Sequence, residues 1–255
     1  MTSIAWLHGY TMDSRVWQAL WQQLPEHQHV GIDLPGHGTA THRPMPDSLA
    51  EWAGVVAEQV RDSGCRTLVG LSFGSCIALQ LALDHPDLID TLVLAAPTLA
   101  GVADDPQAKD RYLEMFLHYR AFGAGRGLAR LWMAEPPPIF TGLRAHPDAY
   151  AGVEAVIAEH SFGELRTGAM GGLSKARHEP SQLRSIEVRT AVLVGSQDMP
   201  RFVENARLLG ELLPNASVTT LDGAGHLPLL ERPSDAARWL NGVLASSHTS
   251  QAVDA

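Results

Sequence analysis

The stretch Gly70-Leu71-Ser72-Phe73-Gly74 constrains this chain more than any other. It begins inside Thr67 to Leu71, a short run of Thr, Leu, Val and Gly that reads as a buried strand. A helical pattern follows it and ends before His85-Pro86. A turn that carries a strand straight into a helix is sharp. It forces the central serine into strained backbone geometry, so the flanking positions must lack bulk. The same turn lifts the Ser72 hydroxyl above the sheet edge, at a helix N-terminus that favours developing negative charge. These residue types in this order fit an exposed nucleophile.

The rest of the chain supplies the sheet that such a turn needs. Short apolar runs bounded by Gly, Pro or Asp recur at Ser3 to Leu7, His29 to Asp33, Thr91 to Ala95, Thr190 to Gly195 and Ser217 to Leu221. They read as strands buried on both faces of a parallel sheet. Helix-length segments separate most of them. Ser48 with Glu51 three residues on marks a helix start by the capping-box pattern, and that helix reaches about Ser63. Pro233 stands at a first helical position, with helical periodicity from Ala236 to Leu244. Between Gly101 and Ile186 the alternation breaks, and helix-like segments such as Tyr112 to Arg120 and Tyr150 to Glu159 take over. The expected organisation is an α/β core of residues 1–100 and 187–246, a helical cap over 101–186, and a polar, disordered tail over 247–255.

A serine hydroxyl needs a base, and the base needs a carboxylate to orient it. Gly223-Ala224-Gly225-His226 follows the last expected strand, and Gly195-Ser196-Gln197-Asp198 follows the one before. Both loops fall at the sheet edge that carries Ser72. Ser72, Asp198 and His226 are therefore the candidate nucleophile, orienting acid and base. Asp222 is nearer to His226 in sequence but stands too early, at the strand end. Acyl chemistry also needs donors for an oxyanion. The backbone N–H of Phe73 is one candidate. The N–H of Tyr10, in the loop His8-Gly9-Tyr10 after the first strand, is the other. His8 and His37 read as structural loop histidines.

With these residues in place, the chain resembles the α/β-hydrolase superfamily over nearly its whole length outside the insertion. Leu7-His8-Gly9, Asp33-Leu34-Pro35-Gly36-His37-Gly38, and Gly225-His226 with Glu231-Arg232-Pro233 carry the resemblance further. It is similar to short cofactor-free carboxylesterases, including those that cleave the methyl ester of a pimeloyl-carrier conjugate, and to menaquinone-pathway lyases that use the same three residues. The resemblance implies an α/β-hydrolase fold with a mostly parallel sheet of about six strands. The family's N-terminal hairpin is reduced or absent, because the first strand begins almost at residue 1. It implies a serine hydrolase that cleaves a carboxylic ester through an acyl-enzyme. The alternatives are a lyase or cyclase that eliminates without an acyl-enzyme, or a thioesterase on a carrier-bound acyl chain. Ser75-Cys76 departs from the second glycine that many relatives carry there. Dehalogenase or epoxide-hydrolase chemistry is disfavoured, since those relatives need a carboxylate where Ser72 stands. A non-enzymatic receptor on this fold is disfavoured by the three intact residues.

Composition excludes further classes. The 255 residues carry a formal charge of -9, which argues against nucleic acid as a partner. No apolar run approaches the ~20 residues of a membrane span. No basic segment precedes an apolar N-terminal stretch, so a cytoplasmic protein is expected. Cys65 and Cys76 have no metal-ligand spacing, and neither metal nor organic cofactor is expected. The insertion is close to neutral, so the core holds essentially all of the negative charge. Its start is basic, from Lys109 through Arg111, Arg120 and Arg126 to Arg130, which raises an anionic or carrier-bound small-molecule ester as a substrate. Tyr10, Phe116, Trp132, Met133, Phe140 and Met170 are the candidate lining of an apolar acyl or alkyl pocket.

Overall fold

A computed structural model describes residues 2–102, 106–168, 173 and 175–250. Six strands form one sheet: β1 (Ser3–Leu7), β2 (Gln28–Ile32), β3 (Thr67–Leu71), β4 (Thr91–Ala95), β5 (Arg189–Gly195) and β6 (Ala216–Leu221). Their order is β2-β1-β3-β4-β5-β6, and every neighbouring pair is parallel. The helices in chain order are α1 (Gln18–Trp21), α2 (Leu49–Ser63), α3 (Phe73–Asp84), α4 (Pro106–Phe122), α5 (Arg126–Trp132), α6 (Pro147–Glu159), α7 (Gly163–Thr167), α8 (Pro180–Leu183), α9 (Pro200–Leu212), α10 (Pro228–Glu231) and α11 (Pro233–Ser250). Helices α4 to α8 all lie in the segment between β4 and β5.

Alternation along the strands sends neighbouring residues into two cores. Ile4, Trp6, Val69 and Leu71 join Trp17 and Leu240 on one face. Ala5, Leu7 and Leu68 join Trp52, Val56 and Ile77 on the other. The inner strands β3 and β4 are buried throughout. The edge strands are not, which corrects the expectation that every run is covered on both faces. β6 exposes Ser217, Val218 and Thr220, and β2 exposes Gln28. An edge strand has a single neighbour, and polar side chains there discourage pairing with another chain.

Local signals behave as their chemistry requires, with two differences. The Ser48 hydroxyl accepts from the Glu51 N–H at 3.3 Å, but the Glu51 carboxylate reaches the Asp47 N–H at 3.0 Å, one residue ahead of the amide that a capping box uses. Helix α11 runs to Ser250, so the boundary drawn at residue 246 on polar composition falls inside it. Ser, Thr and His are only modest helix formers, yet they extend a helix already nucleated by its apolar face. Residues 251–255 lie outside the described residues.

The topology also places a crevice. The chain leaves β1 outward to β2 and then crosses back to β3, so β1 and β3 are neighbours whose connections depart on opposite sides. Ligands in open α/β sheets bind beyond the carboxyl ends of strands at such a point. Register brings Leu7 beside Gly70, so the loops after β1 and β3 start side by side.

Candidate active site

The turn after β3 is strained as its sequence requires. Ser72 has φ 51 and ψ -114. Its N–H donates to the Ala95 carbonyl of β4 at 2.9 Å, which fixes the turn to the sheet. The two glycines serve different neighbours. A Cβ on Gly70 would lie 2.6 Å from the Gly74 carbonyl oxygen, within the turn itself. A Cβ on Gly74 would lie 2.5 Å from the Leu7 carbonyl oxygen, so Gly74 lets α3 approach the end of β1. Ser75 has a use that the sequence did not reveal. Its hydroxyl donates to the Ser72 carbonyl at 2.5 Å and accepts from the Thr98 N–H at 2.9 Å, bridging the turn to the loop after β4.

The turns after β5 and β6 are stitched together. The Ser196 N–H donates to Leu221 O at 3.0 Å and the Gln197 N–H to Ala224 O at 2.9 Å. This brings Asp198 and His226 together. The Asp198 Oδ1 accepts from His226 Nδ1 at 3.0 Å and from the Met199 N–H at 2.7 Å. On its other side His226 Nε2 lies 2.9 Å from Ser72 Oγ. Both His226 and Asp198 are buried. Asp222 instead accepts from the Ser196 hydroxyl at 3.2 Å.

A second carboxylate shapes this loop. Glu231 of α10 is 2 % exposed, and its two oxygens accept from the amides on either side of His226, Gly225 N–H at 2.6 Å and Leu227 N–H at 2.9 Å. The only sequence signal for it was its place in Glu231-Arg232-Pro233. Glu231→Ala strips two buried amides of their acceptor, each loss costing about 1–3 kcal/mol. We expect a loss of about 2–6 kcal/mol in stability and a lower kcat, with Glu231→Gln intermediate. Chemical denaturation beside ester turnover measures both, and an unchanged unfolding midpoint in Glu231→Ala would contradict this role.

The loop after β1 closes the other side. A Cβ on Gly9 would stand 3.7 Å from Ser72 Cβ, so this loop lies against the serine. Among the described residues, neither the Tyr10 nor the Phe73 amide donates a hydrogen bond. His8 is fully buried and held by the backbone: its Nδ1–H donates to Gly9 O at 2.9 Å and its Nε2 accepts from the Leu34 N–H at 3.1 Å. Burial pushes the pKa of His8 down, and that of His37 further, so both are neutral struts.

A family model described as alpha/beta hydrolase fold matches residues 4–233. This chain belongs to that family. It is an enzyme of the hydrolase fold, and known relatives match it along nearly all of its length. Pimeloyl-acyl-carrier-protein methyl ester esterase of Yersinia pseudotuberculosis is 26% identical over 248 residues, covering 92% of this chain and 90% of that protein. The dihydrolipoyllysine-residue acetyltransferase component of the acetoin cleaving system of Cupriavidus necator is 25% identical over 236 residues, or 91% of this chain, which spans 61% of that protein's length. The solved structure of MenH from S. aureus matches with a TM-score of 0.81 at 20% identity, over 97% of this chain and 94% of that one. That likeness is one of fold.

Within this hydrolase fold, a cavity of about 670 Å³ opens beside Ser72 and His226, bounded by the loops after β1, β3 and β4 and by the insertion. Of the candidate lining residues, Tyr10, Trp132 and Phe140 border it. Phe116 and Met133 do not. Met133 is packed into the core, and Phe116 lies under the Arg120 guanidinium on α4, 5.9 Å from it. Helical periodicity marked both as apolar without saying which way α4 and α5 turn. Met170 lies outside the described residues. The sequence reading missed Tyr112, Ile139, Leu165, Phe202 and the carboxylate Glu164 in the wall. Cys76 also reaches the cavity, and burial pushes its thiol up to about 12, so it is an inert apolar lining group at neutral pH.

The basic stretch is largely consumed within the insertion. Arg111 is buried, donates to Pro136 O at 2.8 Å and pairs with Glu114 at 2.8 Å. Arg126 and Arg130 both face Glu154, at 3.9 and 2.9 Å. Of the stretch, Lys109 lines the cavity. Among the described residues no group of His, Cys, Asp and Glu could hold a metal ion, and no helix is long and apolar enough to cross a membrane.

Proposed function

We propose that this enzyme hydrolyses a carboxylic ester through an acyl-enzyme on Ser72. The observation that carries the reading is the continuous relay from Ser72 Oγ through both ring nitrogens of His226 to Asp198, at 2.9 and 3.0 Å. Ser72 Oγ attacks the ester carbonyl while His226 Nε2 takes its proton. Asp198 keeps the other proton on Nδ1 and stabilises the imidazolium that forms. The Phe73 and Tyr10 amides, which donate to nothing else among the described residues, receive the oxyanion. The tetrahedral adduct collapses, and His226 returns its proton to the departing alcohol. Water, deprotonated by His226, then attacks the acyl carbonyl and releases the acid and free Ser72.

The insertion acts as a cap over this site and sets the substrate. A cavity of about 670 Å³ with mostly apolar walls suits an ester with a medium-length acyl or alkyl group. The relative that acts on a pimeloyl methyl ester is consistent with this size. Lys109, Arg201 and the Glu164 carboxylate put charges of both signs in this wall, while Arg111, Arg126 and Arg130 are engaged elsewhere in the insertion. Mass spectrometry of the enzyme quenched during turnover of p-nitrophenyl butyrate tests the mechanism. The peptide containing Ser72 should gain the mass of a butyryl group. Turnover with no such adduct, under conditions that also trap no phosphonate at Ser72, would favour direct attack of a water deprotonated by His226 on the ester carbonyl and overturn the acyl-enzyme.

A further inference from the structure

We propose that the insertion positions the oxyanion loop, with Glu164 as the positioning residue that holds Tyr10 in place. This rests on the acyl-enzyme mechanism and assigns a function to residues which that mechanism does not use. The loop after β1 is not held by the sheet alone. Thr11, not a glycine, has φ 63, a left-handed conformation that a β-branched residue adopts only where its surroundings enforce it. Two contacts from the insertion supply that enforcement. The Tyr10 phenol donates to Glu164 Oε1 of α7 at 2.6 Å. The Trp132 indole N–H of α5 donates to Thr11 Oγ1 at 2.9 Å, and that hydroxyl in turn donates to the Tyr10 carbonyl at 2.6 Å. Both the side chain and the carbonyl of Tyr10 are thus tied, directly or through one hydroxyl, to the segment between β4 and β5.

Glu164 is built for this task. It is 3 % exposed, and His160 Nε2 stands 3.2 and 3.3 Å from its two oxygens. His160 is itself stacked on His37, with ring centroids 4.5 Å apart, so the core braces the far side. Burial opposes ionisation of Glu164, yet the hydrogen bonds from His160 and Tyr10 hold its carboxyl below the ordinary value. Burial, together with that carboxylate, pushes the Tyr10 phenol well up, so it remains a donor throughout the working range. A buried charge-assisted hydrogen bond of this length is strong and directional. Its loss frees the Tyr10 side chain and leaves the Gly9–Tyr10 peptide held only through Gly9 O, by the His8 Nδ1–H at 2.9 Å and the Met12 N–H at 3.2 Å.

The test uses p-nitrophenyl acetate, whose two-carbon acyl group makes little use of the pocket wall, so that a pocket-shape effect and a positioning effect separate. Tyr10→Phe and Glu164→Leu should each lower kcat about tenfold or more while KM stays within about twofold, since they act on the transition state alone. The double variant should be no slower than the worse single, because both break the same bond. Glu164→Gln retains an acceptor for the phenol and should recover most of the rate. If Glu164→Leu does not fold, Tyr10→Phe, which removes a single oxygen atom, decides alone. Wild-type kcat in Tyr10→Phe, or losses that multiply in the double variant, would overturn the tether even with normal acylation of Ser72. Absence of an acyl-enzyme in the wild type would overturn both the tether and the mechanism beneath it.

Discussion

Ser72→Ala should lower kcat for an ester by about 10⁵- to 10⁶-fold while leaving the protein folded and able to bind substrate. The argument is chemical before it is structural. Without the hydroxyl no acyl-enzyme forms, and His226 has only water to activate. What survives is the contribution of the oxyanion donors and of binding, which in such sites still exceeds the uncatalysed rate by about 10³- to 10⁴-fold. His226→Ala should be nearly as severe, and the double variant no worse than either, because the two residues act as one unit. Stability should move little or rise. Alanine removes a polar atom from a residue already held at φ 51, a conformation whose cost the turn bears with or without the hydroxyl. Steady-state kinetics beside a thermal melt would check this. A loss of less than about a hundredfold in a folded Ser72→Ala protein would mean that another group attacks the substrate.

The core was legible in the sequence because its signals are local and redundant. A run such as Thr67 to Leu71 can be little else than a buried strand, and Gly70 and Gly74 announce close approaches that the backbone then makes. The place of Ser72, Asp198 and His226 just after expected parallel strands puts all three at one sheet edge. The wall of the cavity was far less legible. Apolar residues in α4 and α5 read alike whether they face the cavity, as Trp132 does, or the core, as Met133 does. Polar residues misled in the opposite direction. Arg111 reads as one more member of a basic face until Pro136 O and Glu114 are seen beside it, whereas Arg126 and Arg130 stay exposed and share Glu154. Glu164 and Glu231 gave no signal as buried groups, since nothing in a sequence distinguishes a carboxylate that meets buried donors from one that meets water. The Tyr10 partner of Glu164 lies 154 positions away along the chain, and even the nearby amides of Gly225 and Leu227 meet Glu231 only because the loop folds back on α10.

Asp198→Asn should lower kcat by about a thousandfold with little change in KM, and the size follows from the charge rather than from the geometry. In many such sites the amide reverses the imidazole tautomer. Here the Met199 N–H, 2.7 Å from Asp198 Oδ1, keeps an acceptor oxygen turned toward itself and His226 Nδ1, so the amide nitrogen takes the place of Oδ2. That oxygen is buried and has no partner among the described residues. The tautomer is therefore preserved and the variant loses chiefly the negative charge. A unit charge about 4 Å from the forming imidazolium is worth about 4 kcal/mol at an effective dielectric of about 20, which is about three decades in rate. The new NH₂ group, lacking an acceptor, should also cost about 1–3 kcal/mol in stability. Asp222→Asn is the companion measurement, because Asp222 bonds Ser196 and makes no contact with His226. It should keep kcat within about twofold of the wild type. Equal losses in the two variants would show that the carboxylate responsible is not the one His226 touches. A loss of about ten-thousandfold or more in Asp198→Asn would show instead that the amide had turned and the tautomer had reversed despite Met199.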